Sequence, residues 1–168
     1  TVLQNAINEA AADDVIYICA GTYDIVNQLD SDNTAVTLAG AGEGDGGTTL
    51  DAYGSTRIIY WDTVDANQNL TLYDMKLYDG YSTDSGGALW QDGGNLTIDH
   101  VTFDANEADY EGGAVRWSDG GASAYSATIT NSTFTSNVGG NDDSADGGAV
   151  RAWGALSISD SSFSDNST

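Results

Sequence analysis

The chain of 168 residues contains no proline and a single cysteine, and both features constrain its architecture. Proline lacks a backbone N–H donor, so its absence suits a chain in which nearly every segment joins hydrogen-bonded β-structure. One cysteine excludes an internal disulfide. Because Cys19 lies in the apolar run of residues 15–20, the sequence predicts a buried, unreactive thiol.

Basic side chains are also scarce. Only four Lys and Arg residues oppose 26 Asp and Glu residues, which gives a formal net charge of −22. Phosphate binding requires clustered basic side chains, so nucleic acid is excluded as a partner. No stretch is long and apolar enough to predict membrane insertion of this segment. The basic residues are Arg57, Lys76, Arg116 and Arg151.

Aspartate is concentrated beside paired glycines, as in residues 92–94 and 146–148. Turn formation explains this pattern most simply, because Asp bonds its own backbone and Gly supplies positive φ. Carboxylates are also hard oxygen ligands, so the surface is expected to attract a divalent cation such as calcium loosely. No complete calcium-loop signature occurs. The sequence therefore predicts no specific cofactor and no defined metal site.

One pattern recurs through residues 70–166. Each copy has an apolar–polar–apolar triplet, a bulky apolar residue five positions later and, in three copies, an Asn three positions beyond that. The triplets end at Leu72, Ile98, Ile129 and Ile158, at intervals of 26, 31 and 29 residues. A Gly-Gly-Ala-Val/Leu block separates successive copies.

Unequal repeats of short alternating strands predict an all-β solenoid, a right-handed parallel β-helix. We interpret residues 1–168 as one domain. It begins with a capping helix over 1–12, whose apolar stripe runs from Leu3 to Ala11 with Thr1 as N-cap. Irregular first coils follow over 15–69, then regular coils of 26–31 residues over 70–168. The last coil has no cap, so we expect the native chain to continue or another subunit to stack there.

Stacking coils about 4.8 Å apart brings equivalent residues into ladders. A buried aromatic ladder is predicted for Phe103, Phe134 and Phe163. A second ladder is predicted for Asn106, Asn137 and Asn166, at a turn where side-chain amides bond from coil to coil. The role of both ladders is structural.

Several of these motifs resemble those of one known superfamily. Residues 3–7 with 14–23 look like the capping helix and first coil of the pectin-lyase-like right-handed β-helices, and residues 37–42 with 48–51 match the second coil. The Gly-Gly-Ala-Val/Leu and Phe-x-x-Asn pairs are similar to repeats of chlamydial polymorphic outer-membrane proteins and of related bacterial and archaeal surface proteins. The resemblance covers nearly the whole chain. It implies the fold and the surface-protein branch, but no particular chemistry.

These features favour a non-enzymatic module with an extracellular or cell-surface location, such as an adhesin, stalk, sheath or filament segment. Head-to-tail stacking is a heterologous contact, and such contacts build open filaments when they do not close. The expected partner is therefore a further copy of the chain in a homopolymer. A polysaccharide or a host cell surface is a further candidate partner.

The first alternative is a carbohydrate-active enzyme or polysaccharide-binding domain of the pectin-lyase-like type, without an identified catalytic residue. Trp90, Arg116 and Arg151 occupy one position on successive coils and are predicted to face outward. Trp stacks on sugars and Arg binds carboxylates. A ladder in which Trp90 stacks on Arg116 and aspartates neutralise the arginines explains the pattern more simply, because outward ladders arise automatically from repetition. The carbohydrate-binding candidates are Trp90, Arg116, Arg151, Trp117, Asp92 and Asp119.

The second alternative is binding to ice or another crystal surface through an outward row of hydroxyls. Threonine is also simply a favourable residue on the solvent face of a strand. The row comprises Thr71, Thr97, Thr128 and Ser157.

Four Asn-x-Ser/Thr sequons are candidate glycosylation sites if the chain is exported by an organism that glycosylates its proteins. Two of them directly precede matching strands, so a glycan there is expected to project outward. The sequons begin at Asn69, Asn95, Asn131 and Asn166.

Overall fold

The computed structural model describes residues 1–31, 34–62, 68–121, 124–140 and 146–168. Within these ranges the chain forms one helix followed by 18 strands. The helix α1 is Val2–Glu9, and no helix in the described ranges is long and apolar enough to cross a membrane. The strands are β1 Asp14–Tyr17, β2 Gly21–Asp24, β3 Leu29–Asp30, β4 Val36–Ala39, β5 Thr48–Asp51, β6 Ile59–Asp62, β7 Leu70–Tyr78, β8 Tyr81–Ser82, β9 Leu89–Asp92, β10 Leu96–Asp104, β11 Glu107–Ala108, β12 Val115–Ser118, β13 Ser126–Thr130, β14 Thr133–Thr135, β15 Val138–Gly139, β16 Val150–Trp153, β17 Ala155–Ser159 and β18 Ser162–Ser164.

Alternating apolar residues form the interior of the coils. In β10, Leu96, Ile98 and Phe103 are at most 1% exposed, whereas Thr97 and Thr102 between them are half-buried. The alternation follows from the two-residue period of a strand, which points successive side chains to opposite faces. Every coil therefore contributes one layer of apolar side chains to a continuous core.

A left-handed backbone residue bends each regular coil at the same place. His100 has φ 52°, and its register equivalents Asp74, Asn131 and Asp160 have φ values of 52°, 49° and 52°. Asp and Asn tolerate this region better than most residues. β7 and β10 run through the bend, whereas in later coils it separates β13 from β14 and β17 from β18. His100 thus lies at the bend of its coil.

The strands pair in parallel with their equivalents in adjacent coils and form three sheets. A ten-stranded sheet contains the path β1–β4–β7–β10–β13–β17, together with β2, β5, β14 and β18. A five-stranded sheet has the order β3–β6–β9–β12–β16, and a three-stranded sheet has the order β8–β11–β15. This topology confirms the predicted all-β parallel solenoid with an N-terminal helix.

The predicted interior ladders are confirmed by the register. Ile98 pairs with Ile129 in the adjacent coil, and Phe103, Phe134 and Phe163 lie at one register position. The rings of Phe103 and Phe134 stack with centroids 4.7 Å apart, and those of Phe134 and Phe163 stack at the same distance. The first two rings are fully buried, whereas Phe163 is 45% exposed.

The helix is shorter than the predicted range 1–12. It ends at Glu9, because Ala10 already has an extended backbone with φ −69° and ψ 137°. The carboxylate of Asp14 then accepts the N–H of Ala11 at 2.8 Å, which fixes the turn into β1. The apolar stripe predicted the buried side of the helix correctly but overestimated its length, because Ala10 packs on the core without being helical and Ala11 is exposed.

The helix closes the solenoid beside the first coil. Its Thr1 hydroxyl accepts the N–H of Gln4 at 3.2 Å, which confirms the predicted N-cap, and Ile7 is fully buried against the core. The Gln4 side chain donates to the Asp30 carbonyl at 3.0 Å and accepts the Asp30 N–H at 2.8 Å. The Gln4 amide thereby replaces a strand partner at the edge of β3.

Cys19 is exposed, so the prediction of a buried thiol is wrong. It lies between β1 and β2 in the first coil, where the nearby Tyr17 is 81% exposed. Within the described ranges, β1 pairs with β4 on one side and with no strand on the other. Apolar neighbours in sequence bury a side chain only if a second coil or the helix covers them, and no described residue covers Cys19.

Candidate functional site

The outward residues of the five-stranded sheet form the principal candidate surface. Tyr60, Trp90, Arg116 and Arg151 lie at one register position in β6, β9, β12 and β16. This confirms the predicted alignment of Trp90 with the two arginines and adds Tyr60 at one end. We refer to this row, with the neighbouring Arg57 and Trp153, as the stacked column.

Trp90 is enclosed within the column by rings and cations from adjacent coils. Its ring lies parallel to that of Tyr60, with centroids 4.5 Å apart and an interplanar angle of 3°. The guanidinium carbon of Arg116, from the next coil, is 5.0 Å from the Trp90 ring centroid. Since Tyr60 and Arg116 come from opposite neighbours, both faces of the Trp90 ring are covered. A sugar ring therefore has no free Trp90 face on which to stack.

Trp153 extends the column between the two outer arginines. The guanidinium carbons of Arg116 and Arg151 both lie 5.1 Å from its ring centroid. At the other end, the Arg57 guanidinium carbon is 5.3 Å from the Tyr60 ring centroid. All three arginines of the chain thus take part in cation–π contacts, which are worth about 0.5–2 kcal/mol each.

The sequence interpretation missed Tyr60 and Trp153. Tyr60 lies in the irregular coils, but the Ile-Tyr-Trp-Asp sequence of β6 matches the Leu-Trp-Gln-Asp sequence of β9 and could have revealed it. Trp153 does not occupy the arginine register position, because it pairs with Ser118. It follows Arg151 by two residues in β16, so strand alternation places both side chains on the outward face, and this spacing could have revealed the contact.

Carboxylates neutralise the two outer arginines. Arg116 Nη1 lies 4.0 Å from Asp92 Oδ1, and the Arg116 side chain is only 13% exposed. Arg151 Nε lies 3.6 Å from Glu111 Oε1, and its Nη2 lies 3.4 Å from Asp146 Oδ2. The predicted pairing of the arginines with aspartates is confirmed for Asp92 and Asp146, and Glu111 was not anticipated.

Two of the carbohydrate-binding candidates do not belong to this surface. Trp117 is 1% exposed, and its indole Nε1 donates to the Gly94 carbonyl at 3.2 Å inside the solenoid. It follows the outward-facing Arg116, so strand alternation directs it inward, and its assignment as a surface contact is wrong. Asp119 accepts the Gly121 N–H at 2.8 Å in a turn. Among the described ion pairs, none joins Asp119 to an arginine.

Arg57 is held by neutral acceptors from a neighbouring coil. Its Nε donates to the Gly86 carbonyl at 3.0 Å, and its Nη2 donates to the Ser85 carbonyl at 2.9 Å and the Ser82 hydroxyl at 2.7 Å. Burial of the guanidinium lowers the pKa of Arg57 from its usual value, an effect that the nearby Asp84 carboxylate opposes. These hydrogen bonds join an irregular coil to a regular one.

The asparagine ladder is formed as predicted. Asn137 Oδ1 accepts both the main-chain N–H and the side-chain amide of Asn106, each at 3.0 Å. Asn166 Oδ1 accepts the same two groups of Asn137, at 3.0 and 2.8 Å. Asn106 and Asn137 are fully buried. Their amides therefore satisfy main-chain donors that water does not reach.

The four sequons differ in the freedom of their amide nitrogens. Asn95 Nδ2 donates to Asn69 Oδ1 at 3.1 Å, and Asn166 Nδ2 donates to a main-chain carbonyl of the preceding coil at 2.9 Å. Asn131 is exposed, and its Nδ2 donates to Asp99 at 2.8 Å, a bond that contributes most to lowering the pKa of Asp99. Glycosylation stays a prediction, and Asn95 and Asn166 would have to break ladder bonds to accept it.

The hydroxyl row lies on the ten-stranded sheet. Its four predicted members are in register, and Thr37 of β4 extends it by one coil. These threonines are half-buried, with Ser157 exposed at the last position. The row is a regular solvent-facing array, and its binding to ice or another crystal stays a prediction.

No three His, Cys, Asp or Glu side chains in the described part of the chain are grouped so as to hold a metal ion. Comparisons with protein-family models, with curated proteins and with solved structures returned no match. The pectin-lyase-like resemblance therefore stays an expectation based on the motifs themselves.

Proposed function

We propose that this chain is a non-enzymatic structural module of an extracellular or cell-surface protein, acting as a stiff, highly acidic β-helical spacer. The stacked column is the observation that supports this proposal most directly. The aromatic and cationic side chains best suited to bind a saccharide contact one another between coils. They stabilise the rod, and little of their binding capacity is left for a ligand.

The charge of the chain fits the same role. A net charge of −22 keeps the rod solvated and makes the lateral approach of similar rods unfavourable. Three of its four basic residues lie in one column, and two of those are paired with carboxylates. The remaining surface is free to face water or a saline medium.

A polysaccharide-binding role is the second candidate, because one cavity beside the column retains suitable groups. It is lined by Trp90, Arg116, Tyr110, Glu111 and Asp84. Tyr110 is 49% exposed, so its ring remains available to a sugar. Such a site would use the edge of Trp90 and the ring of Tyr110 rather than stacking on Trp90.

The two roles are separated by replacing Arg116 with Met, which keeps the length of the side chain and removes its charge. As a structural residue, Arg116 contacts Trp90 and Trp153, so R116M is expected to lower the free energy of unfolding by about 1–3 kcal/mol. Thermal unfolding measures this loss. Lys76→Met is the matched control for net charge. Lys76 has a partly exposed ion pair with Asp104, worth about 0–1 kcal/mol, and a single ring contact, 4.5 Å from the Tyr78 centroid, against the two of Arg116.

Binding and cleavage of neutral and acidic polysaccharides are measured on the same variants. The structural role predicts that the native chain neither binds nor cleaves them. Cleavage or saturable binding that R116M abolishes at an unchanged unfolding temperature would refute the proposal and establish the second candidate.

A further inference from the structure

The cavity beside the stacked column carries charges of both signs. Its volume is about 360 Å³, toward the lower end of the roughly 300–1,000 Å³ that small-molecule sites occupy. The cavity is lined by Asp84, Ser85, Trp90, Tyr110, Glu111 and Arg116. One cation and two carboxylates thus surround a space that is large enough for a small molecule.

One wall of this cavity is a guanidinium with an unused donor. Nη1 of Arg116 is buried and has no hydrogen-bond acceptor in the described part of the chain. The closest ion-pair oxygen, Asp92 Oδ1, lies 4.0 Å away, which is too far for a hydrogen bond. Trp90 and Trp153, from the coils on either side, cover the two faces of the guanidinium. Its edge therefore remains for an acceptor, and a carboxylate matches the edge of a guanidinium best.

The opposite charge in the cavity is a carboxylate without an ion pair. Asp84 is exposed and takes part in none of the described ion pairs. Its Oδ1 accepts a long hydrogen bond of 3.4 Å from the Ser85 hydroxyl. Arg57 is nearby, but its guanidinium donates to neutral oxygens. Glu111, by contrast, is paired with Arg151 at 3.6 Å. Asp84 is therefore the carboxylate that is available to an ammonium group.

We propose that the cavity binds a free α-amino acid, with the ligand carboxylate on Arg116 and the ligand ammonium group on Asp84. A ligand with only negative charge is repelled by the net charge of −22. A ligand with only positive charge is repelled by the Arg116 guanidinium. A zwitterion satisfies both side chains and adds no net charge. A residue inside a peptide lacks both charges, which selects the free amino acid over a polypeptide.

The aromatic residues of the lining select the side chain of the ligand. Tyr110 is half-exposed, and the edge of the Trp90 ring borders the same space. Aromatic rings bury apolar groups and favour edge-to-face contacts with other rings. Since both faces of Trp90 are covered, the ligand meets this ring only at its edge. An apolar side chain follows, and phenylalanine is a suitable probe. The structural role of the column requires no ligand, so the site is independent of that role.

Isothermal titration calorimetry of the native chain with phenylalanine tests the proposal. The expected result is saturable binding of one phenylalanine per chain. Two analogues each lack one charge, because phenylalanine amide has no carboxylate and 3-phenylpropionate has no ammonium group. Each analogue should bind at least about tenfold more weakly than phenylalanine. Equal binding of all three would show that only the ring is recognised and would overturn the proposal. The absence of saturable phenylalanine binding up to about 10 mM would overturn it as well.

Substitutions then locate the site. Asp84→Asn removes the partner of the ammonium group at an exposed residue, so it should weaken phenylalanine binding at least about tenfold and leave the unfolding temperature unchanged. Asp45→Asn is the matched control, because Asp45 is exposed, lies outside the cavity lining and changes the net charge equally. R116M should abolish binding at a temperature at which the variant is fully folded.

The outcomes separate this site from the proposed function. Phenylalanine binding that Asp84→Asn leaves intact would overturn the site, as would equal weakening by Asp45→Asn. A chain that binds neither phenylalanine nor a polysaccharide would lose the site and keep the structural role. Polysaccharide binding that R116M abolishes would refute the structural role, whatever the result with phenylalanine.

Discussion

Replacement of Asn137 by Ala removes the central rung of the asparagine ladder. Asn137 is fully buried and bonds the coil on either side, accepting two bonds from Asn106 and donating two to Asn166. Its Nδ2 also donates to the Phe103 carbonyl at 3.0 Å. Alanine supplies none of these side-chain groups, so buried donors on Asn106 and a buried carbonyl lose their partners.

The cost follows from the number of orphaned groups. A buried polar group without a partner costs about 1–3 kcal/mol. The groups affected are the two donors of Asn106 and the Phe103 carbonyl. Because Asn106 Nδ2 keeps its bond to the Leu77 carbonyl at 3.2 Å, the total lies toward the lower end of the summed range, at about 3–5 kcal/mol. For a chain of this size, each kcal/mol lowers the unfolding temperature by about 2–4 °C. N137A should therefore unfold about 6–20 °C below the native chain.

Differential scanning calorimetry and urea unfolding measure this loss. Asn166→Ala provides a graded control, because its half-buried position lets water replace part of the lost bonding, and it should cost about 1–2 kcal/mol. Thr128→Ala, on the outward side, should change stability by less than about 0.5 kcal/mol. Equal losses in N137A and N166A would refute the view that the buried amide is what holds the coils together.

The isosteric change Asn137→Asp tests how a negative charge at this buried position changes stability with pH. One carboxylate oxygen would replace Nδ2 beside the Phe103 carbonyl, so the ionised form is disfavoured and the folded pKa rises above the unfolded one. Stability should then be lowest at neutral pH and be regained as pH falls through the folded pKa. Destabilisation that does not change with pH would show that packing, and not charge, is responsible.

Three further predictions concern other parts of the chain. Gln4→Ala should lower stability by about 1–2 kcal/mol, because the peptide groups of Asp30 lose their amide partner, and unchanged melting would show that water replaces it. Cys19 should react with a thiol reagent in the native chain at a rate close to that of the unfolded chain; strong protection would contradict its exposure. Burial, and then the nearby Asp51, raises the pKa of Asp79. Asp79→Asn should therefore stabilise the chain at neutral pH, with the gain shrinking as pH falls through the folded pKa of Asp79. A gain that grows as pH falls would show that the folded protein lowers this pKa.

The regular coils could be predicted closely because equivalent residues recur in each repeat and indicate which positions pair between coils. Once Ile98 and Ile129 are aligned, the two-residue period fixes which side chains face inward, and the Phe and Asn ladders follow. The alignment of Trp90 with Arg116 was predicted for the same reason. The same rule places Trp117 inward, so its selection as a surface residue was an error in applying the alternation.

Other features could not be read from spacing. Cys19 has an apolar sequence neighbourhood, but its burial depends on whether another element covers the first coil. The Thr102 hydroxyl donates at 2.9 Å to the carboxylate of Glu43, which lies 59 residues earlier. Glu43 belongs to a glycine-rich loop that has no counterpart in the regular coils. Gln4 reaches Asp30 because of the angle at which α1 lies on the coil. These contacts depend on tertiary placement, and no local pattern determines it.

The constant register of the coils, despite their unequal length, also affects how such a chain can change over generations. Successive triplets are 26, 31 and 29 residues apart, yet Leu72, Ile98 and Ile129 still pair at one position. Duplication or deletion of one whole coil in the gene would therefore preserve every ladder and alter the rod length by about 4.8 Å. Changes confined to a connecting loop would leave the length constant and alter only one side of the rod. Length and surface can thus evolve separately.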